Sequence, residues 1–323
     1  MSPSLRELFA TGEEVLDAEE EAFLLFSQDI PTANLGFVDS RATEVEVAIR
    51  DVEYTIHQSP TLLASSRAGG TTGAVVASPG ALRPIRSRPN MIQSCGKSPP
   101  LFAQWISSPS NPLWKHSLLS SDSTVAELGC GISALVALTL APSVQHYIAT
   151  DQEYVRRLFR TNLEANTSAP ASASKPKSKS KSKVKASAPS ALNITFTTLD
   201  WELDQPGLLK SCIEGSQSTS EDLGFDLLIS CDCIYNEALV PPFVRTCAEL
   251  CRLRPVYHDT QADGAGAQPT ICVVAQQQRS PEVFETWLRE TLRYFRVWRL
   301  NDEVLGDELK GGTGYLVHLL LVK

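Results

Sequence analysis

The 323-residue sequence contains no run of about 18 uncharged apolar residues, so we expect no helix that crosses a membrane. Its first residues lack an apolar stretch after a basic tip, and we therefore expect neither a secretory signal nor a transit peptide there. Basic residues are outnumbered, 29 to 37, and the net charge of −8 argues against global attraction to nucleic acid. We expect no membrane binding and no direct sequence-specific binding to nucleic acid.

Metal-binding and disulfide patterns are also missing. The sequence has eight cysteines, but none form a Cys-x-x-Cys pair and no histidine lies at ligand spacing. Several cysteines, Cys231 and Cys272 among them, lie in apolar runs, where buried free thiols are common. We therefore expect no metal site and a reducing compartment, the cytoplasm, with the nucleus as the alternative.

What the sequence does contain is an alternation of apolar strands and helices from residue 124 onward. Strands are predicted at 124–129, 146–151, 194–201, 225–235 and 270–278, with helices at 133–141, 152–166, 240–253 and 281–292. The last two strands, 295–300 and 314–323, have no helix between them and predict an antiparallel hairpin. The predicted fold class is α/β, with a Rossmann-like, seven-stranded, mostly parallel sheet, helices on both faces and a C-terminal antiparallel hairpin.

The remaining segments predict the domain organisation. Residues 1–60 are expected to form an N-terminal extension, with a helical pattern over 1–27 and a strand pair over 43–58 outside the main sheet, followed by one domain over 61–323. Within that domain, 77–97 is a disordered insert rich in proline and arginine, and 167–190 is a Lys/Ser-rich loop. The alternating lysines from Lys175 to Lys185 predict a solvated loop, with RNA contact or a nuclear address as the alternative.

A glycine turn stands where the first core strand meets its helix, in Glu127-Leu128-Gly129-Cys130-Gly131. Gly129 permits a tight turn, and Gly131 lets a ligand approach the backbone at a helix N-terminus. Asp151 ends the next strand, where a carboxylate can accept both hydroxyls of a ribose. The pair predicts a site for an adenosine-type cofactor in a doubly wound sheet.

The turn is compatible with two classes of cofactor. Gly129-x-Gly131-x-x-Ala134 also satisfies the dinucleotide fingerprint, so a nicotinamide-dependent oxidoreductase is one alternative. Glu127 favours the other, since its carboxylate would repel a pyrophosphate but suits the ammonium and sulfonium of S-adenosylmethionine. A glycine turn with no ligand is the third interpretation.

Several ordered motifs resemble one enzyme family. They are ELGCGIS, ATDQEYVRRLFRTNLEAN, TLDW, LLISCDCIYN and AQQQRSPEVFETWL. Together they resemble the seven-strand protein-lysine methyltransferases of methyltransferase family 16, and within it the ribosomal lysine N-methyltransferase 5 group. The resemblance covers about residues 60–323 and implies S-adenosyl-L-methionine as cofactor and, as substrate, a large-subunit ribosomal protein of the L1 class, bound by a monomeric enzyme.

The resemblance also assigns site residues. It implies that Gly129, Cys130 and Gly131 surround the methionine part of the cofactor, with Glu127 before them, and that Asp151 holds the ribose. Further along the chain, Trp201 would lie against the adenine and Cys231 would occupy the small-residue position beside the cofactor. The catalytic pair would be Asp232 and Tyr235, which match the family's Asp-x-x-Tyr motif at the lysine entrance.

Methyl transfer needs a neutral lysine nitrogen about 3 Å from the methyl carbon and in line with the sulfur. Asp232 would attract and orient the incoming ammonium, and Tyr235 would accept a hydrogen bond and wall the channel. The sequence departs from the family at Ala77, where a pocket tryptophan is expected and the insert begins. A small-molecule methyltransferase and an inactive binding module on the same fold are the remaining alternatives.

Overall fold

The structure is a computed structural model that describes residues 3–28, 42–58, 98–167, 193–213, 224–255 and 268–323. The predicted insert at 77–97 and the lysine run from Lys175 to Lys185 lie outside these ranges. Among the described residues, no helix is both long and apolar enough to cross a bilayer.

The strands of the described residues form one large mixed sheet and one small sheet. They are β1 (Gly12–Val15), β2 (Glu44–Ile49), β3 (Val52–His57), β4 (Thr124–Leu128), β5 (His146–Asp151), β6 (Ile194–Thr198), β7 (Leu227–Cys231), β8 (Ile271–Gln277), β9 (Phe295–Leu300) and β10 (Tyr315–Val322). The large sheet has the order β1-β9-β10-β8-β7-β4-β5-β6, and β2 pairs only with β3.

The large sheet confirms the predicted fold class. Strands β4 to β8 pair in parallel, and β10 runs antiparallel between β8 and β9. The apolar runs of these strands are buried on both faces, which is expected of strands covered by helices on either side. The sheet is therefore Rossmann-like, with a C-terminal antiparallel hairpin.

One strand more than predicted joins this sheet. The helical pattern over 1–27 is interrupted by β1, which pairs antiparallel with β9 at the edge. The cause is tertiary: Arg296 donates to Glu14 at 2.7 Å, and Arg299 forms an ion pair with Glu13, across the two strands. The prediction of helix was therefore wrong at Gly12–Val15, because the partner strand lies far along the chain.

The helices cover both faces of the sheet. They are α1 (Pro3–Phe9), α2 (Ala18–Phe26), α3 (Ser98–Ile106), α4 (Pro112–Lys115), α5 (Leu135–Leu140), α6 (Arg156–Thr167), α7 (Val240–Cys251), α8 (Pro281–Tyr294) and α9 (Asp302–Leu305). Apolar residues of α1, α3, α5 and α6 join one core cluster, and those of α2, α7 and α8 join a second. Two hydrophobic layers thus enclose the sheet.

The small β2–β3 sheet is fastened to α6 by two asparagines one helical turn apart. Asn162 and Asn166 each exchange hydrogen bonds with the backbone of β3, at His57 and Thr55 respectively. Asn162 is fully buried and also donates to the carbonyl of Ile132, at 2.7 Å, in the loop after β4. This contact links the N-terminal strands to the glycine turn.

Candidate active site

The order of the large sheet reverses at β4, which has β5 on one side and β7 on the other. The loops that leave the carboxyl ends of parallel strands diverge at such a point and form a crevice, where open α/β sheets bind ligands. The predicted site residues lie at the carboxyl ends of β4, β5 and β7 or in the loops after β4, β6 and β7, so the topology brings these segments to one edge of the sheet.

The glycine turn after β4 adopts a backbone that glycine favours. Gly129 and Gly131 have φ values of +68° and +62°. A Cβ on Gly129 would overlap with the sulfur of Cys233 and come within 3.4 Å of the Trp201 ring. Position 129 therefore requires glycine for both its conformation and its packing.

Asp151 holds this turn in place. Its Oδ2 accepts a hydrogen bond from the backbone N–H of Gly131 at 2.8 Å, and its Oδ1 accepts one from Gln152 at 2.7 Å. Burial raises the pKa of Asp151 to about 6, although these two backbone hydrogen bonds act in the opposite direction. Each carboxylate oxygen retains acceptor capacity, which is the arrangement that a pair of vicinal hydroxyls requires.

Glu127 lies beneath the turn, with only 3% of its surface exposed. Its Oε2 accepts a hydrogen bond from the hydroxyl of Tyr147 at 2.7 Å. Burial raises the pKa of Glu127 to about 7, and the negative charge of Asp151 adds to this effect. A cation bound nearby would stabilise the ionised form of Glu127.

Trp201 and Cys231 lie against opposite hydrophobic layers. Trp201 packs against the second cluster, with its ring at 5.0 Å from the ring of Phe243, whereas Cys231 packs against the first. The residue that contacts the glycine turn from β7 is Cys233, whose sulfur lies 3.4 Å from the carbonyl oxygen of Gly129. A ligand that contacts both Trp201 and Cys231 must therefore cross the edge of the sheet.

Asp232 is already engaged by a cation of this chain. It follows β7 with a φ of +64°, and its Oδ2 forms an ion pair with Arg279, beyond the end of β8. Its Oδ1 also accepts from the backbone N–H of Gln277, at 3.3 Å. Both charged side chains are largely buried, at 8% exposure for Asp232 and 17% for Arg279.

The electrostatic environment of Asp232 reflects this burial. Burial raises the pKa of Asp232, while the guanidinium of Arg279 lowers it by a smaller amount. Nη1 of Arg279 is buried and has no hydrogen-bond partner among the residues that the structure describes. A lysine that approaches Asp232 therefore meets a carboxylate that is already paired with the guanidinium of Arg279. The sequence did not reveal this ion pair.

Tyr235 lies three residues after Asp232. It is half-buried on the loop after β7. Burial raises the pKa of Tyr154, which follows β5, and the charges of Asp151 and Tyr235 raise it further, so these three groups are electrostatic neighbours. The predicted catalytic roles of Asp232 and Tyr235 remain predictions.

Sequence reasoning missed four residues of this site. Cys233 contacts the glycine turn, Tyr147 donates to Glu127, Asn162 supports the turn, and Arg279 pairs with Asp232. The asparagine spacing in α6 was the one signal available, since Asn162 and Asn166 lie on one helical face.

Several known proteins resemble this chain in sequence. Residues 101–258 match the family model described as lysine methyltransferase. This part of the chain belongs to the lysine methyltransferase family. The match includes β4 to β7 and the glycine turn, so the family that the motifs predicted is confirmed.

Two curated relatives and one solved structure illustrate the similarity. The ribosomal lysine N-methyltransferase 5 of Zygosaccharomyces rouxii is 24% identical over 76% of this chain and 72% of its own length. A Schizosaccharomyces pombe protein named diaminohydroxyphosphoribosylamino-pyrimidine deaminase is 25% identical over 87% of this chain and 52% of its own. A Pyrococcus abyssi tRNA (uracil-54, C5)-methyltransferase, crystallised with S-adenosyl-L-homocysteine, is 12% identical, with a TM-score of 0.36 over 87% of this chain and 45% of that one.

The extent of these matches differs between relatives. The chain spans about half the length of the fission-yeast protein and of the ribosomal lysine N-methyltransferases 5 from Eremothecium gossypii and Candida glabrata. The names of these relatives therefore refer to proteins longer than the matched part.

Proposed function

We propose that this chain transfers a methyl group from S-adenosyl-L-methionine to the side-chain amine of a lysine in a protein. The observation that carries the proposal is the pairing of Asp151 with the turn at Gly131, directly above the buried Glu127. It supports a site for a nucleoside with a cationic substituent, within a domain of the lysine methyltransferase family.

The residues present fit this cofactor. The acceptor positions left on Asp151 suit the two ribose hydroxyls, and the ring of Trp201 suits the adenine. The carboxylate of Glu127 suits the ammonium of the methionine part. Cys231 stands at the end of β7, at the edge that the cofactor would cross.

When bound, S-adenosylmethionine supplies a methyl group on a sulfonium that an amine can attack. The task of the chain is then to align a lysine nitrogen with that carbon and to keep the nitrogen unprotonated. Asp232 would orient the amine, and Tyr235 would line its channel and accept a hydrogen bond from it. Because Arg279 already balances the charge of Asp232, the carboxylate favours the ammonium form less than an unpaired one would.

For the substrate we propose a large-subunit ribosomal protein of the L1 class. A ribosomal substrate is supported by the names of the relatives from Z. rouxii, E. gossypii and C. glabrata, which are ribosomal lysine N-methyltransferases 5. The L1 class is what the resemblance of the motifs implies. We further propose that the enzyme acts as a monomer in the cytoplasm or nucleus. The seven described cysteines are all free thiols, which supports a reducing compartment.

The test is transfer of a radiolabelled methyl group to ribosomal proteins from cells that lack this enzyme, followed by mass spectrometry of the labelled band. We expect label on lysine of one large-subunit protein, with Asp232→Asn as the inactive control. Label on small molecules alone would favour the small-molecule alternative. A rise in the thermal stability of the chain with NAD, but not with S-adenosylhomocysteine, would favour the oxidoreductase. Binding of S-adenosylhomocysteine without any methyl transfer would favour the inactive binding module.

A further inference from the structure

A groove lies between α2, together with the residues that flank it, and the start of α8. Its volume is about 700 Å³, and its apolar wall includes Phe23, Phe26 and Pro281. Phe23 is 77% exposed, which is unusual for a side chain of its size. Leu16, just before α2, is 82% exposed and extends the apolar surface.

The remainder of the lining is acidic. Four carboxylates line the groove, and no basic side chain does; they belong to Asp17, Glu19, Glu20 and Glu285. Glu285 is paired with Arg289, one turn further along α8. Asp17 accepts from the backbone N–H groups of Glu19 and Glu20 as the N-cap of α2, so the acids of α2 are held in a fixed arrangement.

The groove is connected to the site described above. Pro281, in its wall, is separated only by Ser280 from Arg279, the partner of Asp232. Gln278 donates to the carbonyl of Leu25 at 3.0 Å, which fixes α2 against the end of β8. The segment that leads into α8 therefore connects the ion pair of Asp232 with the wall of the groove.

We propose that this groove binds a basic segment of the protein substrate, with one apolar side chain of that segment packed on Phe23 and Phe26. The proposal rests on the proposed function and extends it by naming the docking surface. Charge complementarity decides the occupant: the carboxylates attract lysine and arginine and repel nucleic acid and anionic lipid. The exposed phenylalanine offers an apolar surface on which one side chain of a short peptide can be buried, and such a contact contributes most to affinity.

The test measures binding of the full chain to a fluorescein-labelled peptide in which lysines surround a single leucine. A peptide with glutamate in place of each lysine is the control probe. We expect Glu19→Gln/Glu20→Gln and Phe23→Ser each to weaken binding about tenfold, the change that about 1.4 kcal/mol produces, and added salt to weaken binding by the wild type. Asp122→Asn removes an exposed acid in the loop before β4 and should change nothing.

The loss of the acids in the first turn could also destabilise α2. The test therefore includes both a variant that removes charge and a variant that removes apolar surface. Circular dichroism of each variant checks that α2 is retained. Equal binding of the lysine peptide by wild type and both groove variants would overturn the proposal, as would equal binding of the glutamate peptide. So would self-association of the chain that Phe23→Ser abolishes, since the groove would then serve a second copy.

This assay contains no methyl donor, so its failure can be told apart from failure of the proposed function. If the chain transfers methyl groups but the groove variants bind the basic peptide as well as the wild type does, only the docking proposal is overturned. A chain that binds the basic peptide through the groove but never transfers a methyl group defeats the proposed function alone.

Discussion

The backbone N–H of Gly131 donates a hydrogen bond to Asp151 Oδ2 at 2.8 Å, so the end of β5 fixes the loop that follows β4. One carboxylate thus shapes the turn and faces the crevice. It links two segments whose only relation in the sequence is their spacing, and the proposed cofactor site depends on this contact.

We predict that Asp151→Ala weakens binding of S-adenosylhomocysteine by about 1–3 kcal/mol, or roughly 5- to 150-fold. The physical reason is the loss of charge-assisted hydrogen bonds in a buried site. Isothermal titration calorimetry measures the change directly. The matched control is Asp122→Asn, and an unchanged dissociation constant for Asp151→Ala would remove this residue from the cofactor site.

Gly129→Ala should destabilise the fold through two separable effects. A φ of +68° costs a residue with a Cβ about 1–2 kcal/mol, and that Cβ also overlaps with the sulfur of Cys233. We therefore expect Cys233→Ala to relieve part of the loss in the double variant, but never all of it. Urea unfolding of the two single variants and the double variant gives the coupling energy. Additive effects would mean that Cys233 does not press on the turn.

Glu127 should make stability depend on pH. Its pKa is raised from 4.5 to about 7 in the folded chain, so the folded state holds a proton that the unfolded state releases in this range. Stability should therefore fall as pH rises from about 4.5 to 7. Glu127→Gln keeps an acceptor for Tyr147 but cannot titrate. The difference in unfolding free energy between wild type and Glu127→Gln should thus change across this interval, and a constant difference would contradict the raised pKa.

Arg279→Ala should cost about 3–5 kcal/mol of stability, because it leaves the buried carboxylate of Asp232 without its partner. Asp232→Asn/Arg279→Ala should recover part of this loss, since no buried charge then remains. We expect Asp232→Asn alone to abolish methyl transfer while it retains binding of S-adenosylhomocysteine. Chemical denaturation, calorimetry and radiolabel transfer measure the three effects. If Asp232→Asn lost cofactor binding as well, Asp232 would be a structural residue.

The core strands were predictable from the sequence because each is an uninterrupted apolar run. The bounds predicted for His146–Asp151 and Phe295–Leu300 are those of the structure. Strand β1 was not predictable, since GEEV carries two acids and its partner strand β9, which bears Arg296 and Arg299, lies far along the chain. Local pattern cannot reveal a strand that depends on distant cross-strand ion pairs.

The same distinction applies to the candidate site. Glu127, Gly129, Gly131 and Asp151 have a local signature of spacing, and the structure brings them together. Arg279 has no such signature, because its pairing with Asp232 requires β8 to lie beside β7. The contact of Cys233 with Gly129 likewise depends on the left-handed backbone at Asp232, which no sequence rule assigns to aspartate at that position.

The most direct test of the central claim is a crystal structure of the chain with S-adenosylhomocysteine. Our account predicts the ribose hydroxyls on the carboxylate of Asp151, the adenine against Trp201 and the amino-acid part along the turn at Gly129 to Gly131. An empty crevice at high ligand concentration, or a ligand bound elsewhere with Asp151 engaged only by the backbone, would contradict it.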